Sequence, residues 1–238
     1  MNLKGILCGG LLTLALAVPA SADPITGVLN FTGSVRVTAT SIDWIPLGTG
    51  EGDLFTQFPG TGYFSTIYQP VAGVNQGDSI DLNAGVLLPL PNFLNDFVTP
   101  DPKYNDLSFT LTSIKVPVLP VCNGTETLGQ SCVAFLGSPF ILTRTANGSS
   151  VEFDIAGFFI DPTFGDNGTL NSAIGVYTSP NVALTPNEIR LAISAPGGHV
   201  DAAYSANITA TAVPEPVSLT LLGSGLLGIG LRARRRRA

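Results

Sequence analysis

Short stretches in which apolar and polar residues alternate run through the middle of this chain and limit the folds open to it. In FTGSVRVTAT the side chains of Phe31, Val35 and Val37 fall on one face of an extended strand, and polar side chains fall on the other. The same alternation surrounds Phe109 in NDLSFTLTSIKV. A period of two residues is typical of a β-strand with one buried face. The body of the chain is therefore predicted to consist of strands.

A hairpin is predicted in ILTRTANGSSVEFDIAGFFI. Its turn is Asn147-Gly148, a pair that suits the positive φ angles of a tight turn, and Val151, Phe153 and Ile155 face inward. Further strands are predicted at GYFSTIY, DSIDLN, AIGVYTS, EIRLAIS and AAYSANITATA. The proline-rich segment 87–106 is predicted to be a long connection on the sheet edge. No amphipathic helix is predicted in the body, and the pattern favours an all-β, antiparallel β-sandwich of the jelly-roll or immunoglobulin-like kind.

The first 22 residues have the pattern of a secretory signal peptide. Lys4 supplies the positive start, and an apolar stretch follows from Ile6 to Val18. The sequence Ala-Ser-Ala, which ends at Ala22, supplies the small residues of a cleavage site. Cleavage is therefore predicted before Asp23, and the body is predicted to span residues 23–212.

The last residues form a second unusual segment, 213–238. The stretch VSLTLLGSGLLGIGL, residues 217–231, has no charge but is shorter than the about twenty residues that a membrane crossing normally needs. Arginine stems that reach back to the interface extend the span, so a transmembrane helix is predicted there. The basic cluster should stay in the cytoplasm and leave the body outside. Its members are Arg232, Arg234, Arg235, Arg236 and Arg237.

Three features in a fixed order therefore end the chain: Pro214-Glu215-Pro216, the apolar stretch and the arginine cluster. This arrangement resembles the PEP-CTERM sorting signal of bacterial exosortase substrates. The resemblance covers about the last twenty-five residues. It implies that a membrane-embedded exosortase processes the chain near the Pro-Glu-Pro motif and that the body then reaches the cell surface or the extracellular space. The alternative is a simple single-pass anchor.

The charge of the body argues against nucleic acid as a partner. The whole chain has a formal net charge of −6, but residues 23–213 alone contain 5 basic and 16 acidic residues, a net charge of −11. Such a body lacks the basic patch that binds phosphates.

Two cysteines remain in the body once the signal peptide, which contains Cys8, is removed. Cys122 and Cys132 enclose a short loop in CNGTETLGQSC. In an exported protein an even pair of cysteines predicts a disulfide.

Catalytic chemistry has few candidate residues. His199 is the only histidine, it lies two residues from Asp201, and no nucleophile elbow of the G-x-S-x-G type occurs. Glu152 and Asp154 share one face of a predicted strand, where a solvated face is the simpler interpretation than a glycosidase pair. Trp44 could stack on a sugar, but its apolar neighbours favour a place in the core. The chain is predicted not to be an enzyme.

No cofactor is predicted, and calcium is the one metal that the sequence leaves open, because it needs only oxygen ligands. The weak candidates are Asp161, Asp166 and Asn167 in DPTFGDNGT, and the acidic turns NQGDSIDLN (Asp78, Asp81, Asn83) and GEGD (Glu51, Asp53). Asp and Asn beside Gly are also ordinary turn residues. Three functions therefore remain: a non-enzymatic surface or matrix protein, a carbohydrate- or calcium-binding module of an extracellular polysaccharide, and a secreted hydrolase, which is disfavoured.

Overall fold

Strands dominate the described part of the chain. The computed structural model describes residues 24–56, 59–67, 76–97, 106–164, 168–169, 171–213 and 225. The strands are β1 (Gly27–Val37), β2 (Ser41–Trp44), β3 (Gly52–Asp53), β4 (Asp78–Ser79), β5 (Leu82–Asn83), β6 (Leu90–Asn95), β7 (Ser108–Ile114), β8 (Ser131–Cys132), β9 (Ile141–Thr145), β10 (Gly148–Ile160), β11 (Asn171–Val182) and β12 (Val200–Ala212). One α-helix, α1 (Pro186–Ser194), and 3-10 helices at Gly62–Thr66 and Pro162–Phe164 complete the described elements.

The strands form one antiparallel sheet that curls on itself. Its order is β3-β4-β6-β7-β10-β11-β12-β1-β2-β5. In addition, β9 pairs with the first part of β10, ahead of the part that pairs with β7, and β8 pairs with β9. Beyond β3, Phe55 forms an antiparallel bridge with Thr32 of β1, with backbone N–H···O bonds of 2.9 and 3.0 Å. The far end of the sheet is thus joined back to β1, so the inner face is enclosed.

The main core fills the inside of this curled sheet. Along β12, Tyr204, Ala206, Ile208 and Ala210 are buried, whereas the residues between them are exposed. Aromatic rings from other strands meet them, and Phe31 packs edge-on against Tyr177 with ring centroids 5.6 Å apart. The period of two that is visible in the sequence is therefore the alternation between this core and solvent.

A smaller apolar cluster lies beside the main core, under α1. The helix contributes Ile189 and Ile193, and the Cys122–Cys132 disulfide contributes its sulfur atoms. The predicted disulfide is therefore present, and it closes a loop with a sequence separation of 10. A loop of this length stabilises the fold by about 2–3 kcal/mol through the entropy of the unfolded chain.

The prediction of a strand at EIRLAIS is wrong, because this segment forms α1. Thr185 caps the helix: its hydroxyl accepts from the Glu188 N–H, and the Glu188 carboxylate accepts from the Thr185 N–H. Pro186 occupies the first turn, where the missing N–H costs nothing. The i, i+4 pair Ile189 and Ile193 then points to the small cluster.

Two further predictions about local structure are wrong. GYFSTIY contains the 3-10 helix Gly62–Thr66, whose Phe64 is buried, and it is not a strand. The segment 87–106 is not only an edge connection, because β6 lies between β4 and β7 in the sheet. A register shift between Leu90 and Leu94 accommodates Pro91, which has no N–H to donate.

The predicted hairpin is confirmed with its turn displaced by one residue. Thr145 pairs with Gly148, so Ala146 and Asn147 form the turn and Gly148, at φ +144°, begins β10. Phe153 and Ile155 are buried as predicted.

The all-β, antiparallel class is confirmed, and the particular type of sandwich stays a prediction. Across the described residues, none of the helices combines the length and the apolar character needed to traverse a bilayer. The predicted signal peptide, residues 1–22, lies outside the described residues. So does the predicted transmembrane segment, residues 217–231, apart from Gly225.

Candidate functional site

The last strand leads directly into the C-terminal tail. Ala212 pairs with Asn171 of β11, and Ala210 pairs with Gly27 of β1. After Ala212 comes Val213, which is 40% exposed, and then Pro214. Because β12 has a paired strand on each side, the ordered sheet continues to within two residues of Pro214.

The register places the start of β1 and the end of β12 at one end of the sheet, which we call the tail end. Ser108 pairs with Ile160, and the side chain of Asn171 bonds to the backbone of Phe159, so β7, β10 and β11 reach the same end. The tail end consists of residues 25–27, 94–97, 106–108, 159–163, 171–172 and 210–213. The predicted signal peptide is joined to the chain shortly before β1 and the predicted transmembrane segment shortly after β12, so both are attached at this end.

A polar network stabilises the loop at the tail end. The carboxylate of Asp161, which is fully buried, accepts from the Tyr63 hydroxyl and, at 2.9 Å, from the Thr163 N–H. The Thr163 hydroxyl in turn donates to Asp106 at 2.9 Å. These bonds hold the 3-10 helix Pro162–Phe164 against the segment that precedes β7.

Three of the acidic calcium candidates, Asp161, Asp81 and Asp53, accept hydrogen bonds from other groups of the chain. Asp161 takes part in the network above, while Asp166 and Asn167 lie outside the described residues. Asp81 accepts from the Trp44 N–H at 2.9 Å, and burial raises the pKa of Asp81. Asp53 accepts from the Leu47 N–H at 2.5 Å. Such backbone bonds are typical of turn carboxylates.

His199 belongs to a surface charge cluster. Its Nε2 lies 3.9 Å from the Asp201 carboxylate, which Arg36 binds through two N–H···O bonds of 2.8 and 2.9 Å. The hydrogen bonds from Arg36 lower the pKa of Asp201. Among the described residues no hydroxyl group bonds to His199, so a Ser-His-Asp arrangement is not assembled there.

Glu152 and Asp154, the two carboxylates considered as a glycosidase pair, have different surroundings on β10. The Lys115 ammonium donates to the Asp154 carboxylate at 2.7 Å, and this hydrogen bond raises the pKa of Lys115. Glu152 is exposed and lies opposite Thr178. A solvated face therefore describes Glu152, whereas the Asp154 side chain is only 15% exposed.

One set of three ligand-type residues in the described part of the chain has its ligand atoms within 4.8 Å of one another: Cys122, Glu126 and Cys132. The disulfide removes the two thiolates that a metal would need. Although burial alone would raise the pKa of Glu126, N–H groups that include those of Asn123 and Gly124 lower it. Glu126 therefore stabilises the loop.

An apolar cavity of about 70 Å³ lies between the two core clusters. Trp44, Tyr177 and Tyr204 line it together with aliphatic side chains. The indole nitrogen and both hydroxyls lack a hydrogen-bond partner among the described residues, and burial raises the pKa of both tyrosines. An engineered cavity that binds benzene measures about 150 Å³, so a cavity of about half that volume is too small for a sugar ring. Trp44, which is 2% exposed, is a core residue as the sequence favoured.

Comparison with protein families identifies the tail. Residues 212–236 match the family model of the PEP-CTERM protein-sorting motif. The chain carries a PEP-CTERM sorting signal. Its Pro-Glu-Pro residues and arginine cluster lie outside the described residues. The predicted resemblance is confirmed, and the signal implies export and membrane-anchored processing by an exosortase. No curated protein and no solved structure matches the chain.

The sequence indicated the PEP-CTERM signal and the strand AAYSANITATA before it, but not the partners of that strand. The match begins at Ala212, the last residue of β12, so the sorting signal and the sheet share a residue. Strand pairing between residues so far apart leaves no local mark in a sequence. For α1 a signal was present: Thr185-Pro-Asn-Glu188 has the spacing of a capping box.

Proposed function

We propose that this chain is an exported protein of the bacterial cell surface or extracellular matrix, without catalytic activity of its own. Signal peptidase cleaves the chain before Asp23, and residues 217–231 hold the precursor in the inner membrane. An exosortase then processes it near Pro214-Glu215-Pro216. The match of residues 212–236 to the PEP-CTERM motif carries this proposal. Because the match begins where β12 ends, the processed product retains the whole sheet.

The chemistry of the tail is consistent with this role. Proline fixes φ and has no N–H, so Pro214 and Pro216 prevent both a further strand pair and a regular helix at the membrane edge. The arginine cluster fixes the orientation, with the body outside the cytoplasm.

The proposed absence of catalysis is supported by how the candidate residues are used. His199 and Asp201 belong to an exposed charge cluster with Arg36. Asp154 is paired with Lys115. His199 and Asp201 line one open groove of about 590 Å³ with Ser179, but the Ser179 hydroxyl donates to the Ala203 carbonyl oxygen and not to His199.

Replacing Pro214-Glu215-Pro216 with three alanines tests the proposal in the native producer. The wild-type precursor should give a shorter mature form in the surface or medium fraction, and the alanine variant should accumulate in the membrane fraction at full length. A matched control replaces Ser218 and Thr220, polar residues just downstream, with alanine. Equal processing of the Pro-Glu-Pro variant and the wild type would contradict the proposal.

A second candidate function, binding of a neutral polysaccharide, is favoured by one surface. A shallow groove of about 490 Å³ crosses the outer face of β11, β12 and β1. Apolar side chains that include Phe55 and Val176 supply most of its surface. Amide and hydroxyl side chains supply the rest, and the Asn207 amide donates to the Asn30 amide oxygen at 2.7 Å. Uncharged groups of this kind can exchange hydrogen bonds with sugar hydroxyls.

Affinity electrophoresis in gels that contain neutral polysaccharides tests this second function. Retardation of the wild type should weaken in Asn30→Ala and Ser205→Ala, and should persist in Thr112→Ala, a control on an exposed part of β7. Unretarded migration of the wild type in every gel would exclude those polymers.

A further inference from the structure

The tail end of the folded body has the properties of a contact surface. We propose that the exosortase docks on the tail end of the folded body and cleaves a precursor whose β12 already lies in the sheet. This inference rests on the proposed function, because it concerns the same processing step. It goes further by naming the substrate as the folded body together with the tail, and not the tail alone.

The first argument is that the backbone upstream of Val213 is not available. Enzymes that bind a peptide in extended form bond to its backbone N–H and C=O groups. In β12 these groups pair with β1 up to Ala210 and with β11 up to Ala212. Ile208 and Ala210, at 0% and 3% exposure, are also fixed in the core. Upstream of the motif the enzyme therefore meets Val213 and then the surface of the body.

The second argument is the direction in which the two chain ends leave. β1 begins at Gly27, four residues after the predicted signal cleavage site, and runs antiparallel to β12. The predicted signal peptide, before it is removed, and the predicted transmembrane segment are therefore both joined to the tail end. This end must face the bilayer, where a membrane-embedded enzyme acts.

The third argument is the charge of the tail end. Asp96 and Asp106 are exposed there, and Asp161 lies beneath them. The basic side chains of the described residues lie elsewhere: Arg36 pairs with Asp201, Lys115 with Asp154, Arg144 is in β9 and Arg190 is in α1. An acidic surface is repelled by anionic lipid and attracted by basic protein groups. The fitting partner is thus a basic outer surface of the enzyme.

A flexible insertion between Val213 and Pro214 distinguishes docking on the folded body from recognition of the tail alone, and it leaves the strands unchanged. A Gly-Ser linker of about twelve residues spans about 20 Å on average, so the body could no longer present the motif from a docked position. Pulse-chase processing in the native producer should become about tenfold slower. The same linker between Thr49 and Gly50, in an exposed loop far from any neighbour, should leave the rate unchanged.

Charge reversal gives an independent test. Asp96→Lys and Asp106→Lys together should slow processing about tenfold, because they remove the attraction to a basic surface. Glu152→Lys with Glu51→Lys makes the same charge change away from the tail end and should process normally. Melting temperatures of the mature proteins show whether each variant is folded.

Processing of the linker precursor and of the Asp96→Lys, Asp106→Lys precursor at the wild-type rate or faster would overturn the inference. That result would mean that the enzyme reads the tail alone, while the proposed function would stand. Failure of the wild-type precursor to be processed at all would instead contradict the proposed function.

Discussion

At the scale of single residues, the sheet depends on positions with no room for a side chain. A Cβ added to Gly157 would lie 2.0 Å from the backbone oxygen of Thr110, at the point where the register of β10 against β7 shifts. Backbone atoms cannot move aside as a flexible side chain can. We predict that Gly157→Ala lowers the free energy of unfolding by about 3 kcal/mol or more in urea denaturation.

Gly48 supplies the matched control for this substitution. It lies in an exposed loop, and an added Cβ would have nothing within 4 Å. Gly48→Ala should leave the free energy of unfolding within about 0.5 kcal/mol of the wild type. Equal effects of the two substitutions would show that β7 and β10 do not approach as described.

The capping box of α1 predicts a defined pH dependence. Hydrogen bonds from the Thr185 backbone, and secondarily from its side chain, lower the pKa of Glu188 below its ordinary value of 4.5. A lowered folded-state pKa means that the stabilisation is present above pH 4.5 and is lost as the pH falls through the folded-state value. The difference in melting temperature between wild type and Glu188→Gln should therefore be largest near pH 6 and shrink below pH 4.5.

An exposed carboxylate outside the helix provides the comparison. At pH 6, Glu51→Gln should show a smaller difference in melting temperature from wild type than Glu188→Gln. A Glu188→Gln difference that stays constant from pH 6 to pH 3 would contradict the role of the carboxylate in the cap.

At the scale of elements, β12 joins the two parts of the sheet, because it pairs with β11 on one side and with β1 on the other. Ile208 is fully buried, whereas its neighbour Thr209 points to solvent. We predict that Ile208→Asp costs about 4 kcal/mol or more, because it buries an unpaired charge. Thr209→Asp should cost about 1 kcal/mol, the scale of strand preference. Thermal unfolding followed by circular dichroism measures both, and similar losses would argue against the assigned faces of β12.

The elements that the sequence predicted correctly are those with a long alternation. β1, β7, β10, β11 and β12 each place apolar residues at several alternate positions, although Gly33, Ser113, Gly157 and Gly175 interrupt the pattern. Each strand was therefore visible without knowledge of its partner. In segments of a few residues, the same pattern does not distinguish a strand from a helix. EIRLAIS alternates apolar residues at Ile189, Leu191 and Ile193, yet its cap makes it a helix in which Leu191 is 54% exposed. In β6 the sequence did not indicate a strand because of Pro91. The register shift that accommodates this proline exists only in the pairing with β7.

At the scale of the whole molecule, the first and last strands of the sheet are neighbours. β1 and β12 pair over eleven positions, although their residues are separated by most of the chain. The fold therefore cannot be completed until the segment just before the sorting signal has emerged. Local motifs gave the PEP-CTERM signal and the disulfide from sequence alone. The attachment of that signal to the middle of a sheet could not be predicted, because it depends on which strands pair.

The central claim is that both ends of the chain are removed and the sheet between them is retained. Mass spectrometry of the intact mature protein, purified from fractionated native cells, tests it most directly. The account predicts an N-terminus at Asp23 and a C-terminus at or after Val213 and no later than Val217, in the surface or medium fraction. A mature protein that keeps Arg232–Arg237 in the membrane fraction would contradict it, as would a C-terminus within β12.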